Sequence, residues 1–250
     1  MQYGICHLSI VPLRALSSHT SEMTSQLLYG EHFKVLEERA HWSRIRCAFD
    51  GFEAWVANKQ YRKIQEEDYN SLEDVPLQLS SDLIEYVTDD NGLLMPVPLG
   101  SVLNFKDRLT HKFEGEIIAP LKPMKNHIVD TALLYLNSPN LWGGKTPFGL
   151  DCSGFTQMVY KLNGERLNRS AAEQAKQGEA LSFIEESEPG DLAFFDDNEG
   201  IIDHVGIIMQ DHYIIHVDGK VRIDRIDHSG IFNTEERKHT HKLRVIKKII

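Results

Sequence analysis

The sequence predicts an α+β domain with an antiparallel sheet, preceded by small β-barrels. Three observations carry that prediction. From Ile5 to Ile64, and again from Gly92 to Leu121, short apolar segments alternate with turns. Between Asn126 and Ala175 the apolar residues recur at helical spacing instead. From Leu192 to the C-terminus strand-like segments return, and helices followed by a run of strands mark the α+β class.

Composition bounds the rest. The 250 residues suit one large or two to three small domains, and 41% hydrophobic with 26% charged residues is ordinary globular usage. The longest apolar runs fall far short of the ~20 residues of a membrane helix. The start, Met1 to His7, has no basic n-region, and Arg14 interrupts the apolar stretch behind it. With Met1 as the natural start, no signal peptide is present and a cytoplasmic protein without membrane partners is expected. Three widely spaced cysteines, Cys6, Cys47 and Cys152, argue against a disulfide framework. The formal charge of −10 disfavours nucleic acid and is compatible with a substrate carrying a free amine.

Residues 1–65 read as the first barrel. Its strands are Leu8–Arg14, Gln26–Gly30, Phe33–Glu37, Trp42–Cys47 and Glu53–Val56, with Asp50-Gly51 as the hairpin turn between the last two. Gln65 to Asn91 is charged (Glu66-Glu67-Asp68, Glu73-Asp74, Asp89-Asp90) and reads as a solvated linker or sheet edge. Residues 66–125 read as a second barrel, with apolar pieces Leu93–Val97, Ser101–Phe105 and Glu116–Pro120, ended by Pro120 and Pro123. In residues 126–250, Asn126 caps a helix through Leu136, and Asn137 to Asn140 stop it. Ser170 caps a short helix with Glu173 at the capping-box position. Strands follow at Leu192–Phe195, His204–Met209, Tyr213–Val217, Val221–Ile226 and Leu243–Ile246.

The chemistry centres on Leu150-Asp151-Cys152-Ser153-Gly154-Phe155. Phe155, Met158, Val159 and Leu162 lie at i, i+3, i+4 and i+7, so an amphipathic helix follows, capped by Asp151 and stopped by Asn163-Gly164. Cys152 is then its first residue, where the positive end of the helix dipole favours a thiolate. A nucleophilic thiol needs a base and a group that orients the base. His204 and His216 are 12 residues apart on strand-like segments. A hairpin with three loop residues would set them directly opposite each other, on one face. One would take the thiol proton and the other hold its far ring nitrogen; two satisfied core histidines are the alternative.

These residues carry a resemblance. Leu141-Trp142-Gly143-Gly144, Asp151-Cys152-Ser153-Gly154-Phe155, Pro189-Gly190-Asp191-Leu192 with Phe194-Phe195, His204-Val205-Gly206-Ile207 and Ile215-His216 resemble the NlpC/P60 family of cysteine peptidases in order and spacing. The front stretch resembles bacterial SH3 (SH3b) domains through Val11–Arg14, Leu28–Glu31, Trp42 and Asp50–Val56. The resemblance implies a papain-like catalytic domain behind SH3-like barrels, cleaving the γ-D-glutamyl–diamino acid bond of murein peptides during cell-wall recycling. It implies Cys152 as nucleophile, His204 as base and His216 as the orienting third member, with the Cys152 amide in the oxyanion hole. No metal or cofactor is implied. The partners would be short L-Ala-γ-D-Glu-diamino acid peptides with a free N-terminus. Asp151 and Ser153 would help hold that ammonium, with Glu53 and Tyr61 from the first barrel as candidates to complete the pocket. Trp142 and Ser170 are further substrate-binding candidates. Trp55 reads as barrel core.

The family's usual Leu-Pro-Arg-Asp is here Leu167-Asn168-Arg169-Ser170, which leaves Arg169 without its usual neighbour, and Val217-Asp218 follows His216 where a small residue and a hydroxyl are common. Other classes on the same residues are a Cys152/His204/His216 zinc site with an open position, a non-catalytic cell-wall peptide binder, and a thiol amidase or acyltransferase. His239 and His241 read as surface residues. The sequence leaves lysine versus meso-diaminopimelate, and the oligomeric state, open.

Overall fold

The computed structural model describes residues 1–73, 75–120, 125–197 and 199–250. The expected stop at Pro123 lies outside them. The chain forms two compact units: Met1–Leu121 with Trp142–Pro147, and Lys122–Leu141 with Phe148–Ile250.

In the first unit, β1 (Gln2–Ile5), β2 (Ile10–Arg14), β3 (Met23–Leu28), β4 (His32–Glu38), β5 (Trp42–Cys47), β6 (Glu53–Ala57) and β7 (Arg62–Ile64) form one sheet in the order β3-β2-β6-β5-β4-β1-β7. Period-2 alternation builds its core: Val11 and Leu13 on β2, Phe33 and Val35 on β4, and Ile45 on β5 point inward. The Asp50-Gly51 turn forms as expected, with Asp50 Oδ1 accepting from the Phe52 amide.

The charged junction is corrected by the structure. It contains a helix, α1 (Glu66–Glu73), which buries Tyr69 and Leu72. Its acidic first turn suits the positive end of the helix dipole, so the charge cluster is a helix start rather than a linker. Beyond it, β8 (Leu79–Ser80), β9 (Ile84–Thr88), β10 (Leu94–Pro98), β11 (Lys112–Phe113) and β12 (Ile117–Ile118) form a three-stranded sheet β10-β9-β11 and a pair β12-β8. The Ser101–Phe105 stretch forms no strand; Val102 makes a single bridge to Leu79. Val87, Val97, Leu103, Phe105 and Leu109 share one cluster with Ile5 and Tyr29. The short strand β13 (Lys145–Thr146) belongs to this unit, where the Lys145 ammonium is buried against the Glu31 carboxylate at 3.2 Å.

In the second unit, a 3-10 turn at Lys125–His127 precedes α2 (Ile128–Leu133). The helix expected from Asn126 to Leu136 is therefore shorter, and no side chain caps its start. After β14 (Gly149–Leu150) come α3 (Cys152–Leu162) and α4 (Ala171–Gln174), capped by Asp151 and Ser170 as expected. α3 is not amphipathic in place: every residue from Ser153 to Leu162 is buried. Several of its polar side chains find partners inside the unit. Thr156 donates to Gln174 Oε1 at 2.8 Å, Gln157 donates to the Leu167 carbonyl at 2.9 Å, and Tyr160 donates to the Gly190 carbonyl.

The strands β15 (Glu179–Leu181), β16 (Leu192–Asp196), β17 (Ile202–Ile208), β18 (Tyr213–Asp218), β19 (Lys220–Asp227), β20 (Gly230–Asn233) and β21 (Lys238–Lys248) follow. They pair antiparallel in the order β15-β21-β16-β17-β18-β19-β20. β20 also pairs with β21, so six strands close into a ring. Ala193, Phe195, Ile208, Ile214, Ile226, Ile231 and Ile246 form an apolar cluster of this sheet, and α3 packs on β17 and β18. No helix among the described residues is long and apolar enough to cross a membrane.

Candidate active site

Cys152 opens α3 because Asp151 holds extended backbone (φ −91°, ψ 174°) and its Oδ1 accepts from the Gly154 amide at 2.7 Å. The packing of α3 on β17 sets the thiol against the backbone on both sides of His204. Its sulfur lies 3.7 Å from the Asp203 carbonyl, and the Val205 amide also points to it. The expected depressed thiol pKa is not what the surroundings produce. Burial and then the Asp151 carboxylate push Cys152 up to about 12, against the opposing pull of the Val205 amide, Arg169 and the Ser153 amide. These surroundings favour the neutral thiol over the thiolate.

His204 and His216 do meet, though not in the expected register. Gly206 is the residue opposite His216, and Ile208 pairs with Ile214. The turn from Met209 to Tyr213 is longer than three residues, with Asp211 and His212 both in the left-handed region where glycine was missed. A two-residue shift preserves the face, so His204 and His216 become diagonal neighbours, which long side chains span. His204 Nε2 is 3.0 Å from His216 Nδ1, and His216 Nε2 is 3.0 Å from Asp224 Oδ2. Arg222 grips the same carboxylate, with Nε 2.6 Å from Oδ2 and Nη2 3.1 Å from Oδ1. Burial raises the Asp224 pKa, but these hydrogen bonds outweigh it and hold the carboxyl below its ordinary value. Burial, then His241 and His216, push His204 well below the ordinary imidazole value.

Gly206 is the condition for this arrangement. A Cβ there would lie 2.9 Å from the His216 Cβ and 2.7 Å from Ile214 Cδ1. The small residue in His204-Val205-Gly206 makes room for the second histidine.

Asp151 and Ser153 belong to a second buried cluster. Arg169 donates to Asp151 Oδ2 at 2.7 Å, to Asp151 Oδ1 at 3.0 Å and to Ser153 Oγ at 3.0 Å. Arg169, read from sequence as lacking its usual neighbour, is thus paired with the N-cap of α3. Ser170 is exposed and caps α4 through the Glu173 amide at 3.3 Å. In the first unit, the two Glu53 oxygens are held by Arg44 at 2.6 Å and Arg46 at 2.7 Å. Tyr61, a pocket candidate from sequence, is buried in the barrel core, its hydroxyl 2.9 Å from Ser43 Oγ. Trp142 is largely exposed and donates to Glu22 at 2.5 Å, while Trp55 is buried as expected.

Sequence reasoning missed Arg222 and Asp224, and it misread the surroundings of Arg169 and His241. Asp224 was accessible in principle: the Gly219 turn pairs His216 with Arg222, and Asp224 shares that parity. His241 is partly buried and faces the site, against the surface position expected from sequence. It stacks on His204 at 4.0 Å with 26° between the rings, and burial and His216 push it down to about 4. His204, His216 and His241 bring one nitrogen each within 4.8 Å of one another. A shared metal ion needs the lone pairs, which lie in the ring planes, to converge. Two stacked rings send them past each other, and the His204–His216 pair is already hydrogen-bonded.

The NlpC/P60 family profile matches residues 137–240, and that of the bacterial dipeptidyl-peptidase SH3 domain matches residues 13–60. The chain carries an NlpC/P60 domain behind a bacterial SH3 domain. Cys152, His204, His216, Arg222 and Asp224 all fall inside the NlpC/P60 match. The gamma-D-glutamyl-L-lysine dipeptidyl-peptidase of Bacillus subtilis is 26% identical over 216 residues, covering 77% of this chain and 71% of that protein. The protein of the same name from Bacillus cereus is 26% identical over 237 residues, covering 80% and 68%. The crystal structure of an NlpC/P60 family protein from Bacillus cereus matches with a TM-score of 0.79 over 99% of both chains at 17% identity, a likeness of fold.

Proposed function

We propose that the protein is a cysteine peptidase that hydrolyses the γ-D-glutamyl–diamino acid bond of short murein peptides. The observation that carries this reading is the thiol of Cys152 seated between the Asp203 carbonyl and the Val205 amide, against the strand that presents His204. His204 takes the Sγ proton, and the thiolate attacks the γ-carbonyl carbon of D-glutamate. The amide of Cys152, at the positive end of α3, offers a donor to the developing oxyanion. His204 returns the proton to the leaving amine, and a thioester remains. Water, deprotonated by His204, then cleaves the thioester to the free γ-carboxylate and the thiol.

The names of the two Bacillus relatives support γ-D-glutamyl specificity for this chain. The substrate class is a soluble L-Ala-γ-D-Glu-diamino acid peptide, and cytoplasmic recycling of such peptides is part of the proposal. The test is mass spectrometry of products from tripeptides ending in L-lysine or meso-diaminopimelate, with free and blocked N-termini. L-Ala-D-Glu and the free diamino acid are expected from unblocked peptide, with no turnover by Cys152→Ala. Equal turnover by Cys152→Ala, or none by the wild type, overturns the reading.

A further inference from the structure

We infer that Asp224, clamped by Arg222, is a positioning residue that fixes the tautomer of His216 and through it leaves the lone pair of His204 on Nδ1. The inference rests on the peptidase reading for its consequence in catalysis, but the proton arrangement stands on geometry alone.

The reasoning is a proton count along one buried line. Asp224 is almost fully buried, and its carboxylate can only accept hydrogen bonds. Arg222 occupies both oxygens with two donors, and His216 Nε2 lies 3.0 Å from Oδ2. A lone pair on that nitrogen would face the carboxylate with no proton between them, so Nε2 carries the hydrogen. A neutral imidazole has one N–H, which leaves His216 Nδ1 as an acceptor. His204 Nε2, 3.0 Å away, must therefore donate to it. His204 then has its lone pair on Nδ1, the ring nitrogen outside this chain of bonds. The opposite assignment would set two lone pairs against each other in a site shielded from water, where an unmade hydrogen bond is costly. Arg222 is itself anchored, with Nη2 donating to Asn233 Oδ1 at 3.2 Å and Nη1 lying 3.2 Å from Glu235 Oε2. The orienting information thus starts on β20 and the turn behind it and passes through β19 and β18 to β17.

A merely structural Arg222–Asp224 pair would not govern ring protonation, and that difference is measurable. Two-bond proton–nitrogen NMR of the ¹⁵N-histidine-labelled, substrate-free protein near neutral pH should show His216 and His204 both protonated on Nε2 only. Asp224→Asn, which keeps the side-chain shape, should populate the Nδ1–H form of His216. It should lower kcat by about a hundredfold or more with KM within about threefold, by the logic of the aspartate-to-asparagine change in a serine-peptidase triad. Asp224→Glu should recover part of kcat. An Nδ1–H or doubly protonated His216 in the wild type overturns the inference, as does wild-type kcat in Asp224→Asn. The wild-type spectrum needs no variant to fold and no substrate to turn over. If the wild type cleaves no murein peptide while both tautomers are as stated, the peptidase reading fails and the relay stands.

Discussion

At Cys152 two environments compete. The start of α3 and the Val205 amide favour negative sulfur, while burial and Asp151 oppose it and prevail. The neutral thiol gives up its proton only to a neutral base, and the low pKa of His204 keeps that base neutral across the physiological range. Since the Cys152 pKa is raised, the thiolate fraction grows as pH rises. Alkylation of Cys152 by iodoacetamide in the substrate-free protein should therefore accelerate roughly tenfold per pH unit between about 7 and 9. A plateau below pH 8 would mean a preformed thiolate–imidazolium pair and contradict this balance. Residue types and spacing made Cys152, His204 and His216 legible in the sequence. The sign of the thiol shift was not, because it depends on the depth of burial and on which carboxylate lies nearest.

Among the elements, the β17–β18 hairpin decides whether two histidines form a pair. Sequence parity placed them on one face, and that survives a two-residue slip in register. The register itself rests on a turn whose left-handed Asp211 and His212 carry no glycine signal. Gly206 then supplies the space. Gly206→Ala should cost about 1–3 kcal/mol of stability through overpacking. It should also reduce kcat more than tenfold, since the added methyl presses on His216; thermal denaturation and kinetics on the same variant check both. Full kcat in a folded Gly206→Ala protein would show that the His216 backbone can yield without loss. Helix starts were legible where Asp151 and Ser170 cap them. α1 was not, because its apolar pair Tyr69 and Leu72 is too sparse to stand out among acidic neighbours.

For the whole molecule, histidine burial couples folding to pH. His7, His111, His204 and His241 all have folded pKa values below 6.5, with burial the largest cause in each. Below about pH 6.5 the unfolded chain binds protons that the folded chain refuses, so stability falls as pH drops, by the linkage relation. For His241 the loss extends to about pH 4. Scanning calorimetry should show the melting temperature declining from pH 6.5 to 4, and His241→Gln should flatten that decline. A melting temperature independent of pH over this range would refute the coupling. The described histidines involved lie in both units, so the effect belongs to the chain and not only to the candidate site.

The sequence by itself determined the strand-rich front, the α+β order of the second half, the caps of α3 and α4, and the identity of the candidate nucleophile and its two histidines. All of these follow from local patterns: alternation, helical spacing, capping residues and short motifs. Only the tertiary structure decided the closure of six strands into a ring, the Asp151–Arg169 pair, the Asp224–Arg222 anchor, the position of His241 and the protonation of Cys152. Each of these depends on which residues distant along the chain share a buried space. Hydrogen-bond partners and desolvation are properties of that space, and no local pattern encodes them.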